Sequence, residues 1–170
     1  MAFPTPRTAL DQARDIAERV TLLERRQSSG GGAAPAGPGV YGSAYSPGQD
    51  VATGPSSSLV ALTLDVASGV AFGSSRLTIV APGMYMITAA ARFSSSSSGL
   101  RSMYVGLATS GGSGSILGDT KPPLSGSGTS LSASGLRFLE AGDSLSLSVN
   151  QTSGVTLEVL SASLAIARVA

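Results

Sequence analysis

From Val40 onward, apolar residues fall on every second position in run after run, the period of a half-buried strand. The clearest stretch is Arg76 to Phe93, RLTIVAPGMYMITAAARF. Leu77 and Ile79 alternate with polar neighbours before Ala81-Pro82-Gly83 breaks the run. Tyr85, Ile87, Ala89, Ala91 and Phe93 then share one face, with Met84, Met86, Thr88, Ala90 and Arg92 on the other. Pro82 fixes its φ and Gly83 tolerates positive φ, so strand, tight turn and strand are expected, as a hairpin.

The same reading predicts strands over most of the remaining chain. Val40 to Tyr45 is a first strand, ended by Ser46-Pro47-Gly48. Val60, Leu62, Leu64 and Val66 form one apolar face, and Gly69 to Phe72 is a short strand. Met103, Val105 and Leu107 alternate, as do Leu145, Leu147 and Val149. Leu131 and Ala133 share one parity and Leu136 and Phe138 the other, which makes Gly135 a candidate bulge. Leu157 to Val169 reads as one long strand with a change of parity near Val159-Leu160. Ser94–Gly99 and Ser110–Ser115 read as polar loops, and Lys121-Pro122-Pro123 bars a regular strand.

Residues 1–27 carry a different period. Ala9, Ala13, Ile16, Val20 and Leu23 recur at spacings of four, three, four and three, the a/d seam of a short coiled coil. Thr8, or Thr5 ahead of Pro6, supplies the helix start. Asp15 and Arg19 form an i,i+4 pair of favourable order, and Arg25 and Arg26 suit the negative end of the helix dipole. Such a helix is about 30 Å long and marginal alone in water. Its narrow seam needs a partner: its own domain, another copy, or a socket in a larger assembly. Residues 28–39, SSGGGAAPAGPG, have linker composition and span roughly 17–21 Å if fully flexible. That tether favours self-association or docking over packing on its own domain. The chain thus divides into an anchoring helix (1–27), a linker (28–39) and a β domain (40–170).

Composition sharpens this division. Hydrophobic residues make up 42% but aromatics only 5%, so the core must be built of Leu, Ile, Val and Ala. Charged residues are 12% and the net charge is +1, which does not suit nucleic acid or an anionic surface. Nine of the 21 charged residues (11 basic, 10 acidic) precede Ser28, so the helix has a solvated outer face. Cysteine and histidine are absent, which excludes disulfides, Cys nucleophiles, Ser-His-Asp triads and His/Cys zinc sites. The opening MAFPTPRTALDQ lacks the apolar centre of a secretory signal, and no run reaches the length of a membrane-spanning helix.

About eight strands and no helical pattern after residue 40 predict a mainly β, two-layer antiparallel jelly-roll sandwich. The order of features resembles the C1q/TNF-like jelly-roll domains. It consists of Pro82-Gly83-Met84-Tyr85, then Leu136–Leu139 leading into Ala141-Gly142-Asp143, then Leu145–Val149, then Leu160–Val169. The resemblance covers residues 40–170 and marks Pro82, Gly83, Tyr85, Gly142 and Asp143 as fold-defining turn residues. It departs from the family at Leu77, Ile79 and Ile87, where Phe is usual. It implies a homotrimer. A short coiled coil ahead of such a domain resembles bacteriophage minor tail, baseplate and head-fibre proteins, in which the helix anchors in the virion and the knob points outward.

Candidate chemistry is sparse. The β domain has six acids, Asp50, Asp65, Asp119, Glu140, Asp143 and Glu158, and only Glu140 and Asp143 approach each other, across a turn. An Asp after Gly in a turn caps backbone more often than it binds calcium. Asp119 and Lys121 read as solvated loop charges. Gly111-Gly112-Ser113-Gly114 lacks the Lys and helix of a phosphate loop, and Asn150-Gln151-Thr152 is a chance glycosylation sequon. Tyr41, Tyr45 and Tyr104 either pack in the sandwich or line a glycan-binding surface. The resulting expectation is a virion structural protein of a bacteriophage, homotrimeric, not an enzyme, without metal or cofactor. Its helix would bind other virion proteins, and its knob would adhere to a host-surface glycan. At net charge +1 that adhesion would depend weakly on salt. Minor tail or baseplate is the first location. A capsid-decoration or head-fibre protein, and a non-viral bacterial trimeric C1q-like module, are the alternatives.

Overall fold

The structure, a computed structural model, describes residues 39–124 and 126–169. The expected helix, with Ala9, Ala13, Ile16, Val20 and Leu23, lies outside the described residues, as does the linker up to residue 38.

Twelve strands build two antiparallel sheets. They are β1 (Tyr41–Ser46), β2 (Gln49–Val51), β3 (Ser58–Leu59), β4 (Thr63–Ser68), β5 (Val70–Gly73), β6 (Arg76–Ile79), β7 (Gly83–Phe93), β8 (Arg101–Thr109), β9 (Gly112–Lys121), β10 (Thr129–Leu139), β11 (Ser144–Gln151) and β12 (Leu157–Arg168). The first sheet runs β10-β7-β12-β1-β4, with β2 also on β12; the second runs β5-β6-β11-β8-β9, with β3 on β11. The described residues are thus a mainly β jelly-roll sandwich, without a helix.

The side-chain period explains the layers. Along β7 the even partners face out while Tyr85, Ile87, Ala89, Ala91 and Phe93 are buried. They meet Leu77, Ile79, Met103, Val105, Leu145, Leu147 and Val149 of the second sheet in a single core cluster. Each fully buried Leu, Ile or Val contributes about 1.5–3 kcal/mol, so aliphatic volume replaces the aromatics the composition lacks. The parity change of the last strand is a real irregularity: the register between β12 and β7 shifts between Val159 and Ser161.

Four local expectations are corrected. The Arg76–Phe93 stretch is not a hairpin: β6 pairs with β5 and β11, whereas β7 pairs with β10 and β12, so Ala81-Pro82-Gly83 carries the chain from one sheet to the other. Ser110–Ser115 is not a loop throughout: only Ser110 and Gly111 turn, and β9 begins at Gly112 and pairs with β8 along the backbone ladder. Gly135 is not a bulge: the β10–β7 register passes through Gly135 and Ile87 without a break. A Cβ there would lie 2.8 Å from Leu117 Cδ2, so the glycine makes room for β9 to lie over β10. Finally, Val60 and Leu62 are buried but Leu64 and Val66 are exposed. Val60 and Leu62 precede β4, with Val60 donating to Leu147 of the second sheet, whereas Leu64 and Val66 lie on β4, a rim strand of the first sheet, where the register shift between Ser43 and Ala44 also puts those two on opposite faces.

The registers also assign ends to the sandwich. Val40, whose carbonyl accepts from Arg168, and Val169, which donates to Met84, lie at one end with the Ala81–Gly83 and Ala141–Asp143 turns. The β8–β9 tip at Thr109–Gly112 is at this near end as well. The Ser94–Gly99 segment, the Gln151–Leu157 turn and the Pro122–Gly128 connection occupy the far end.

Candidate functional site

At the near end the fold-defining residues converge on one another. Tyr85 is fully buried and its hydroxyl donates to the Ala81 carbonyl at 2.6 Å; burial pushes its pKa up. Gly142 donates to Ile79 at 2.9 Å, and Ile79 donates to the Asp143 carbonyl at 2.8 Å. The Asp143 carboxylate accepts from the Glu140 amide at 2.9 Å, so it caps the turn. Pro82 and Gly83 bring the chain across between the sheets. These residues lie at the two near-end connections between the sheets, β6 to β7 and β10 to β11. They do not form a ligand cavity.

The far end is held by two buried polar side chains that no sequence pattern marks. Arg101 is fully buried; its guanidinium donates to the carbonyls of Ser98 (2.7 Å), Leu100 (3.3 Å) and Ser96 (3.4 Å), while Nε has no partner. Burial lowers its pKa. Gln151 donates to Val51 and Val155 and accepts from the Ser153 amide and hydroxyl. Between them, Leu100 and Thr152 exchange two hydrogen bonds and Ser98 reaches the Ser153 carbonyl. The serine-rich segment is therefore tied to the neighbouring turn at several points. Asn150 spends its side-chain amide on the Gly54 and Ser56 carbonyls, at 2.7 and 3.0 Å.

Asp119 and Lys121 are not loop charges but lie on β9. The Asp119 carboxylate accepts from the Ser132 amide at 3.0 Å and meets Lys121 at 3.1 Å, and Lys121 donates to the Ser130 carbonyl at 2.9 Å. The pair bridges β9 to β10, across the flank of the sandwich. The Ser132 hydrogen bond first, then Lys121, holds the Asp119 carboxyl below its usual range.

The outward face of the first sheet is the largest surface with a pattern. Its near-end half is apolar: Leu136, Phe138, Met86 and Tyr41 are all exposed, Leu136 by 60%. Its middle is small and polar, with Ser134, Thr88, Ala165 and Ser43 in one row across β10, β7, β12 and β1. The far-end half sinks into a trough of about 540 Å³, lined by Tyr45, Pro47, Ala90, Arg92, Leu160 and Ser163 among others. Tyr41 and Tyr45 share this face, whereas Tyr104 packs on the other sheet over Gly118, so the three tyrosines do not form one surface. Among the described residues no three Asp, Glu, His or Cys side chains gather as a metal site would require.

No protein-family model matches the sequence, nor does any curated protein. Solved structures do. The Eiger TNF of S. frugiperda superposes with a TM-score of 0.60 at 14% identity, over 78% of this chain and 94% of that one. Murine APRIL superposes at 0.59 (its pH 8.0 structure, 10% identity) and at 0.54 (its pH 5.0 structure, 11% identity), each over 76% of this chain and 99% of the other. At such identities the likeness shows the fold. The β domain has the jelly-roll fold of these TNF structures.

Proposed function

We propose that this chain is a homotrimeric virion structural protein of a bacteriophage, most simply of the minor tail or baseplate. Residues 1–27 attach it to the particle, and the jelly roll is displayed for adhesion to a host-surface glycan. One observation carries the reading: the two ends of the β domain differ. The segment that follows the linker enters at the same end as the C-terminal residues described, and the tied-down Ser94–Gly99 segment lies at the opposite end. A domain tethered at one end and ordered at the other is built to present that second end.

The apolar half of the outward face supports self-association. Leu136, Phe138, Met86 and Tyr41 make a continuous patch on an otherwise serine-rich sheet, on a fold whose relatives by resemblance are trimers. The occupant is a second copy of this chain, because the patch carries no charge with which to select a foreign partner. No catalytic group is assigned; the domain acts by binding.

The test replaces Ile16 and Val20 with Asp in the full chain and follows incorporation into particles by mass spectrometry of purified virions. The expected result is loss of incorporation with the β-sheet circular dichroism signal retained. Normal incorporation of that variant, with loss instead on deleting residues 40–170, would reverse the assignment of the two ends.

A further inference from the structure

The outward side of the first sheet keeps its opposite charges on different strands. Arg92 stands on β7, whereas Glu158 and Asp50 stand on β12 and β2, and Asp65 on β4. Ala91, Phe93, Leu157, Val159 and Val51 are buried, so Arg92, Glu158 and Asp50 point away from the core. Asp65 already accepts from the Ser43 hydroxyl at 2.8 Å. The other three are exposed, and no ion pair or side-chain hydrogen bond with a described residue engages any of them.

Each of these charged groups is incomplete in one chain. Glu158 and Asp50 sit directly opposite each other in the β12–β2 register, and like charges in that position repel. The hollow they line is completed by Pro47, Gly48 and Gln49, with no cation. Glu158 is a diagonal neighbour of Arg92, since Ser94 donates to its carbonyl and Arg92 lies two residues back. The arm of Arg92 turns the other way. A Cβ on Gly128, beside the β10 rim, would lie 3.5 Å from Arg92 Nε. Gly128 is one step beyond Thr129, which pairs with Phe93, so the arm leans toward the rim at the height of Ser94, Glu158 and Asp50.

A threefold ring joins unlike flanks, so the β10 side of one copy meets the β12–β1–β4 side of the next. Copies tethered through the same near end stand side by side, and rotation about their common axis leaves height along the strands unchanged. The arm of Arg92 and the two carboxylates share that height, and the trough of about 540 Å³ leaves room for the neighbour. We infer that Arg92 of one copy pairs with Asp50 and Glu158 of the partner subunit, three times around the ring. The inference rests on the homotrimeric reading above and adds to it which flanks meet and what selects them. The apolar near-end patch buries area in many registers; the charge pairing at the far end selects one.

Sedimentation of the full chain over a dilution series tests this, with circular dichroism as the check on folding. Every substitution acts three times per trimer. Arg92→Glu, and separately Asp50→Arg with Glu158→Arg, should each raise the concentration at which the trimer dissociates by about tenfold or more. All three substitutions in one chain should restore the wild-type value. Co-expressing the two kinds of chain should restore it only in part, because a ring of three cannot alternate two kinds and keeps one mismatched contact. A wild-type trimer indifferent to Arg92→Glu overturns the inference and leaves the trimer standing; a wild-type monomer overturns both. Restoration in the combined chain with none on co-expression would place the pair within one chain and overturns the inference too. Should a reversal lose the sheet signal, Arg92→Gln decides instead: it must weaken association and flatten its salt dependence, and an unaltered trimer overturns the inference.

Discussion

Gly99 offers the sharpest test of how the far end is held. It sits at φ 73°, and a Cβ there would collide with the Thr152 carbonyl, which is backbone and cannot rotate away. Gly142, in the near-end turn, has φ 93° but open space around the same atom. Gly142→Ala therefore adds only the strain of a left-handed residue, about 1–2 kcal/mol. Gly99→Ala adds the same strain and a collision. Relieving the collision separates Leu100 from Thr152, whose two hydrogen bonds measure 3.1 and 2.9 Å. At about 0.5–1.5 kcal/mol each, their loss brings the total to about 2–5 kcal/mol. Urea unfolding of the full chain at one fixed protein concentration reads the difference, since association would otherwise shift the midpoint. The midpoint should fall further for Gly99→Ala, with an unchanged slope, and amide exchange should accelerate over residues 94–100. Equal losses in the two variants would refute the tie between these segments.

Three more outcomes are expected. Asp119 has a depressed pKa, so its contribution is fully present above the ordinary carboxylate range and is lost as pH falls through the lowered value; Asp119→Asn should cost about 1 kcal/mol near neutrality, and its urea midpoint should converge on the wild type in acid. Tyr85→Phe removes the 2.6 Å bond to Ala81 without opening a cavity, and should cost about 0.5–1.5 kcal/mol, seen as a fall of a few degrees in Tm. Leu136→Asp with Phe138→Asp should convert the oligomer to monomer in sedimentation while the sheet signal persists; an undisturbed oligomer would place the subunit contact elsewhere.

Much of the fold is legible in the sequence because alternation is a direct record of burial. Tyr85, Ile87, Ala89, Ala91 and Phe93 on β7, and Leu145, Leu147 and Val149 on β11, are buried where their parity puts them. What escapes is pairing. Pro82-Gly83 shows where the chain turns, but nothing local says that β6 and β7 belong to different sheets. Strand β9 escapes because GSGSILGDTK has too few apolar residues to show a period; it is held by backbone bonds to β8 and by Leu117 over Gly135. The trough escapes for a further reason. Arg92, Ser130, Ser161 and Tyr45 come from four strands far apart in the chain and acquire a common surface only through the register. Arg101 is invisible because an arginine is expected at the surface, and only the carbonyls of Ser96, Ser98 and Leu100 explain its burial.

The bridge from Asp119 and Lys121 to β10 bears on more than the stability of one domain. Strand β10 is a rim of the first sheet, and a rim exposes amides and carbonyls onto which a foreign strand can add. Here the Ser132 amide and the Ser130 carbonyl are already engaged by side chains of the same molecule. A second copy arriving at that rim meets occupied groups and a lysine charge instead of a template. In a protein whose described residues form twelve strands and whose sequence has no cysteine, this guards against fibrous aggregation wherever many copies are crowded together. Acid removes the guard as it protonates Asp119, so loss of solubility on acidification should precede loss of the sheet itself.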